Sequence, residues 1–145
     1  MAGTSELTEL GREECLRLLA GAIVGRVVFT EAALPAAHPV TYLLDGDEVV
    51  FCTGGGGKLA AATMHRVVAF QADEIDLAGR TGWSVLGIGE AYEVTDPRRL
   101  ADLADRLPEP WAENPDGHNV AIPLQRLTGR VLGPDGLPVA PVHGR

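Results

Sequence analysis

Two apolar runs joined by a turn constrain this chain most. "HPVTYLL" (38–44) and "EVVFCT" (48–53) flank "DGD". Aromatic and β-branched residues favour strands, and Asp45-Gly46 between them predicts a tight hairpin of type I′, with positive φ at both central positions. A chain that reverses so quickly builds antiparallel sheet. Further strands are predicted over 22–30, 66–73, 82–94 and 118–127, the last interrupted by Pro123. Gly25, and Gly87 or Gly89, read as bends or bulges within them. Pro39 donates no ladder bond, so its strand is expected at a sheet edge or beside a ligand. Pro35 is assigned to the loop before it.

Helices are predicted at the joins. Cys15, Leu16, Leu18 and Leu19 give an amphipathic helix over 11–20, capped by Gly11, with Glu13 and Glu14 at its positive end. An alanine-rich helix covers 58–64. Another starts after Asp96, with Pro97 at the first helical position, where proline is favoured. Six short strands without βαβ repetition exclude a doubly wound nucleotide fold. The expected class is mostly β with short flanking helices: a six-stranded antiparallel β-barrel over 1–127. The Gly- and Pro-rich segment 128–145 has little to bury and is expected to be a partly loose tail.

Composition narrows the function. With 145 residues, 46% of them apolar, the chain is the size of one domain with an ordinary core. Its net charge of −8 argues against a nucleic-acid binder, which needs a basic face. No apolar stretch approaches the ~20 residues a membrane helix needs. Glu6, Glu9, Glu13 and Glu14 are not the pattern of a secretory leader. Cys15 and Cys52 have no metal or disulfide spacing and read as small core residues. A reduced, cytoplasmic protein is expected.

"FCTGGGGKLAAA" (51–62) is the stretch that carries chemistry. A phosphate-binding P-loop would need glycine at Cys52 and Ser or Thr at Leu59, and the dinucleotide fingerprint would need glycine at Leu59; both templates fail. Bare glycine amides still admit an anion closely. A helix starting near Gly57 would add its own amides, Lys58 a full charge and Thr53 a hydroxyl. A terminal phosphate monoester suits that set. A flexible glycine turn with a solvated lysine fits the same residues.

In "RTGWSVLGIGEA", Trp83 is either a core or interface aromatic or a wall against a planar ring, with Ser84 supplying a hydrogen bond. No histidine spacing suggests zinc, and no histidine near Ser84 supports a hydrolase triad.

Taken together, "ECLRLLAGAIVGRVVF", "HPVTYLLDGDEVVFCTGGGGKLA", "VVAFQADEID" and "GWSVLGIGEAYEV" resemble the pyridoxamine 5′-phosphate oxidase-like family of flavin-binding split barrels, more narrowly its small actinobacterial-type members. The resemblance spans roughly 10–122 and implies a six-stranded split barrel that forms a homodimer with FMN at the subunit interface. It implies that Thr53, Gly57 and Lys58, with Leu59 beside them, hold the flavin phosphate. His38, Pro39, Val40 and Thr41 would run along the ring and ribityl chain. Trp83 and Ser84 would complete the site, from the same subunit or its partner.

Members of the family often place a hydroxyl or basic residue where this chain has Gly57, and a second phosphate-binding side chain where it has Cys52. One charge-assisted hydrogen bond lost is worth ~1.5–3 kcal/mol, so loose flavin or a vacant site is a second expectation. "GPDGLPVAPVHGR" has no counterpart of the segment with which the vitamin-forming oxidases hold their substrate. The expected activity is therefore a different FMN-dependent oxidation–reduction, with a small-molecule substrate or electron donor and no assigned catalytic side chain. The alternatives are a store for flavin, deazaflavin (coenzyme F420) or haem, the last using His38, His65 or His118, and a cofactor-free structural dimer.

Overall fold

The structure is a computed structural model that describes residues 7–54, 58–107 and 117–133. In chain order the elements are β1 (Leu7–Leu10), α1 (Arg12–Ala20), β2 (Val24–Glu31), β3 (Leu34–Thr41), β4 (Leu43–Asp45), β5 (Glu48–Thr53), α2 (Lys58–Thr63), β6 (Val67–Asp76), β7 (Thr81–Glu90), β8 (Tyr92–Glu93), α3 (Pro97–Arg106), β9 (His118–Pro123) and β10 (Arg126–Leu132). They form two antiparallel sheets, one of order β1-β10-β7-β6-β2-β3 and one of order β4-β5-β9-β8. The architecture is the split β-barrel with flanking helices, and its two sheets do not close into a continuous ring.

Ten strands stand among the described residues, where six were expected. The predicted strand over 118–127 breaks after Pro123 into β9 and β10, which belong to different sheets. β10 runs on to Leu132, pairing Gly129 with Leu10 and Val131 with Trp83, so the segment from 128 enters the sheet instead of hanging loose. Residues 134–145 of the expected tail lie outside the described residues. Pro35 is in β3, opposite Thr30, not in a loop. The sheet tolerates it, and Pro39 too, because β3 is an edge strand.

The hairpins differ from their sequence signals. At the β4–β5 turn Gly46 has φ +66° and Asp47 lies outside the left-handed region, as in a type II′ turn and not type I′. The β2–β3 turn has the two consecutive left-handed residues of type I′, at Ala32 (φ 52°) and Ala33 (φ 65°), without glycine or asparagine to announce it. Gly25 and Gly89 mark close approaches. A Cβ on Gly25 would lie 2.2 Å from the buried Phe70 ring, and one on Gly89 would lie 1.7 Å from the Pro123 carbonyl oxygen, where β7 passes β9.

Side-chain alternation explains the core. β5 and β9 send Val49, Phe51, Val120 and Ile122 into the main core, with Val27, Phe70, Trp83 and Val85 of the large sheet. Val50 and Ala121 point the other way, against Leu103 of α3 and Val94. Both strands are therefore covered on two faces, which is why "VVF" and "VAI" are unbroken apolar runs. Helix α1 buries Cys15, Leu18 and Leu19, and the Tyr42 hydroxyl donates to the Leu19 carbonyl at 2.6 Å. Gly11 and Asp96 occupy the expected N-cap positions, neither with a capping side-chain hydrogen bond. No helix among the described residues is long and apolar enough to cross a membrane.

Candidate functional site

A concave feature lies at the start of β6. Its cavity of about 570 Å³ is lined by Thr30, Glu31 and Ala32 at the β2–β3 turn and by Lys58, Ala61, Ala62 and Arg66 from α2 and its exit. The volume is in the ~300–1,000 Å³ range of small-molecule sites. The space exists because the α2 residues facing the turn are alanines. Lys58 and Arg66 are both exposed, and neither side chain makes a hydrogen bond or ion pair with a described residue. Two cations against one carboxylate among the described lining residues leave the cavity with local positive charge in a chain of net −8. That donor set fits a phosphate ester.

Other expected members of the site fall differently. Gly57 lies outside the described residues. Thr53 is 2% exposed, and its hydroxyl oxygen sits 3.4 Å from both the carbonyl oxygen and the amide nitrogen of His118, so it ties the end of β5 to β9. Leu59 packs against the core. Helix α2 has six residues, too short to carry a developed macrodipole. Cys52 is half-buried, and burial pushes its thiol pKa up, as it does that of buried Cys15.

On β3 the four expected contact residues divide between two faces. His38 and Val40 pair with Val27 and Gly25 on the inward side, and the His38 ring lies 5.4 Å from that of Phe29. Pro39 and Thr41 pair with Arg26 and Val24 on the outward side. Only one of these pairs can face a planar ring.

Trp83 and Ser84 divide in the same way. Trp83 is 3% exposed and joins the core. Ser84 is exposed and accepts a hydrogen bond from Gln71 Nε2 at 3.2 Å. Both border a second cavity of about 220 Å³, with Ile75, Gly82, Arg130 and Leu132. Trp83 pairs with Glu74, eight residues along β6 from Arg66. At ~3.3 Å per residue the two cavities sit roughly 25 Å apart on one chain. A single subunit therefore does not bring Lys58 and Trp83 together.

Sequence reasoning missed Arg66. Its signal was only a basic residue at the exit of a short helix, and its place depends on α2 folding back towards the β2–β3 turn. The outward face of the large sheet was missed as well. Val24, Val67, Ile75 and Leu86 are all exposed there, Val67 at 69%, and Leu77 at the β6–β7 tip is 85% exposed. They share that face with Arg26, Gln71, Asp73 and Ser84.

Comparison with known proteins bears on the same region. The family model described as pyridoxamine 5′-phosphate oxidase matches residues 11–131. An uncharacterized protein of Mycobacterium tuberculosis is 43% identical over 129 residues, covering 86% of this chain and 84% of its own. Among solved structures, an FAD-binding protein of Mycobacterium smegmatis superposes with a TM-score of 0.78 at 32% identity, covering 87% of this chain and 98% of its own. An FAD-binding protein of Mesorhizobium loti superposes with a TM-score of 0.73 at 20% identity over 90% of this chain and 99% of its own, a likeness of fold.

Proposed function

The chain belongs to the pyridoxamine 5′-phosphate oxidase family, and on that premise we propose that it binds a flavin nucleotide, FMN, at a homodimer interface and acts as an oxidoreductase. The observation that carries this reading is the open cavity beside a strand hairpin, with two cations, Lys58 and Arg66, whose side chains have no partner among the described residues. The 32%-identical relative that binds FAD supports a flavin over other phosphate esters.

When bound, the flavin supplies the electron or hydride chemistry. The chain supplies position. Lys58 holds the phosphate end, and the Ala61 and Ala62 methyls leave room for the ester without competing hydrogen bonds. The exposed face of β2, β6 and β7 is covered in the dimer. A two-fold axis in the plane of that face and perpendicular to the strands sets the Arg66 end of one β6 against the Ser84 end of the partner's. The two cavities, roughly 25 Å apart within a subunit, then meet in pairs between subunits. Ser84 and its hydrogen-bonded neighbour Gln71 would offer polar groups to the ring edge.

Titration of the purified protein with FMN and riboflavin tests the binding. Tighter binding of FMN supports the phosphate assignment, and equal affinities overturn it. Anaerobic bleaching of the bound flavin by a reduced nicotinamide, followed by reoxidation in air, supports an oxidoreductase. A bound flavin that no donor reduces marks a carrier. Sedimentation as a monomer with flavin fully bound removes the shared interface.

A further inference from the structure

We propose that Arg66 is the second anion-binding side chain of the cavity and sets its preference for phosphorylated ligands, an inference that rests on the reading of this cavity as the flavin phosphate site. A phosphate monoester carries nearly two negative charges at neutral pH, and Lys58 alone offers one compact positive charge. Arg66 lines the same cavity and adds a planar fork of donors that matches phosphate oxygens two at a time. It does so without the basic or hydroxyl side chains absent at Cys52 and Gly57.

Backbone geometry supports the role. The Arg66 amide donates to the Thr63 carbonyl at 3.1 Å, and the Arg66 carbonyl accepts from the Ala91 amide at 2.9 Å. His65, just before it, donates to the Ala91 carbonyl at 2.8 Å and is held at φ 60°, a left-handed conformation that non-glycine residues seldom adopt. The chain at Arg66 is thus fixed on both sides while its guanidinium has no described partner. The one carboxylate among the described lining residues, Glu31, opposes an anion there and tunes the affinity downward.

The test is binding, read against a ligand without phosphate. Arg66→Ala is expected to weaken FMN about tenfold or more and to leave riboflavin within about twofold. Arg66→Lys should recover part of the loss, and Glu31→Gln should tighten FMN. Thermal melting of each variant checks that the fold is intact. Equal losses for FMN and riboflavin, or no loss for either, overturn the inference. Phosphorus NMR of inorganic phosphate separates this claim from the flavin reading. If the wild-type protein binds neither flavin, phosphate broadening that Arg66→Ala abolishes upholds the anion site without the flavin. No broadening with the wild-type protein then overturns both.

Discussion

Two regions of this molecule use the same residue types in opposite ways. At the α3 end, Arg99 donates to Asp45 at 3.1 Å, to Glu48 at 2.8 Å and to the Tyr92 hydroxyl at 2.7 Å. Arg106 reaches Asp45 at 3.1 Å and Asp102 at 2.6 Å. The Tyr92 hydroxyl also donates to Glu48. These contacts fasten α3 across the β4–β5 hairpin. At the α2 end, Lys58 and Arg66 stand in an open cavity with no described partner. A cation whose donors are met by carboxylates of its own chain holds the fold. One left unmet beside a cavity is available to a ligand.

That contrast predicts large stability effects on the closed side and small ones at the cavity. The largest is expected from Gly89→Ala. The new methyl would meet the Pro123 carbonyl at 1.7 Å, and a backbone atom cannot swing aside. The β7–β9 crossing must open, at a cost of about 3 kcal/mol or more. Urea unfolding reads it, and a loss below about 1 kcal/mol would mean the crossing is looser than described.

Arg99→Ala comes next. It leaves Asp45, Glu48 and the Tyr92 hydroxyl short of a shared donor while all three stay half-buried. A loss of about 1–3 kcal/mol is expected, with the Leu103 cluster beneath α3 loosened first. Hydrogen exchange of the α3 amides should rise before that of β6 and β7. Uniform protection loss would mean that α3 is not a separate unit.

Tyr42→Phe probes the third anchor of the closed side. The mutation removes the bond to Leu19, worth about 1 kcal/mol. Burial, and then the Glu74 charge, push the Tyr42 pKa up. The phenol therefore favours the folded state fully below its unfolded pKa of about 10, and that contribution is lost as pH rises beyond it. Wild type should lose stability above about pH 10 more steeply than Tyr42→Phe. Parallel alkaline curves would show that Tyr42 does not carry the linkage.

The same division explains how much could be read in advance. The helices α1 and α3 and the hairpin at Asp45 were legible, because apolar spacing, Pro97 and an Asp-Gly turn are local signals. β1 was not: Leu7–Leu10 is four residues long, and its partner is β10, more than a hundred residues away. The β2–β3 turn hid because two alanines stand where glycine is expected. Lys58 was legible from its glycines, whereas Arg66 enters the cavity only through tertiary folding. Trp83 could not be assigned from sequence, since an aromatic on a strand serves a core or a ligand equally well, and here it joins the core while bordering the second cavity.

At the boundary between the two kinds of region, Ala33→Gly should stabilise. Ala33 is held at φ 65°, where a side chain costs ~1 kcal/mol, and glycine accepts that conformation freely. Against this runs the extra freedom glycine gives the unfolded chain, of about 0.4–1 kcal/mol. A net gain of a few tenths of a kcal/mol is expected, and a loss would show that the turn is not strained.

The smallest stability effect is expected from Lys58→Ala and Arg66→Ala, and its smallness sharpens the contrast. Both side chains are exposed and make no described hydrogen bond or ion pair. Removing either should change unfolding free energy by less than about 0.5 kcal/mol. With both positive charges beside Glu31 gone, the double variant should also lose its anion affinity, so added phosphate or FMN should raise the melting temperature of the wild-type protein and not that of the variant. A double variant that melts well below wild type without ligand would place these cations among the groups that hold the fold. The difference between the two regions would then disappear.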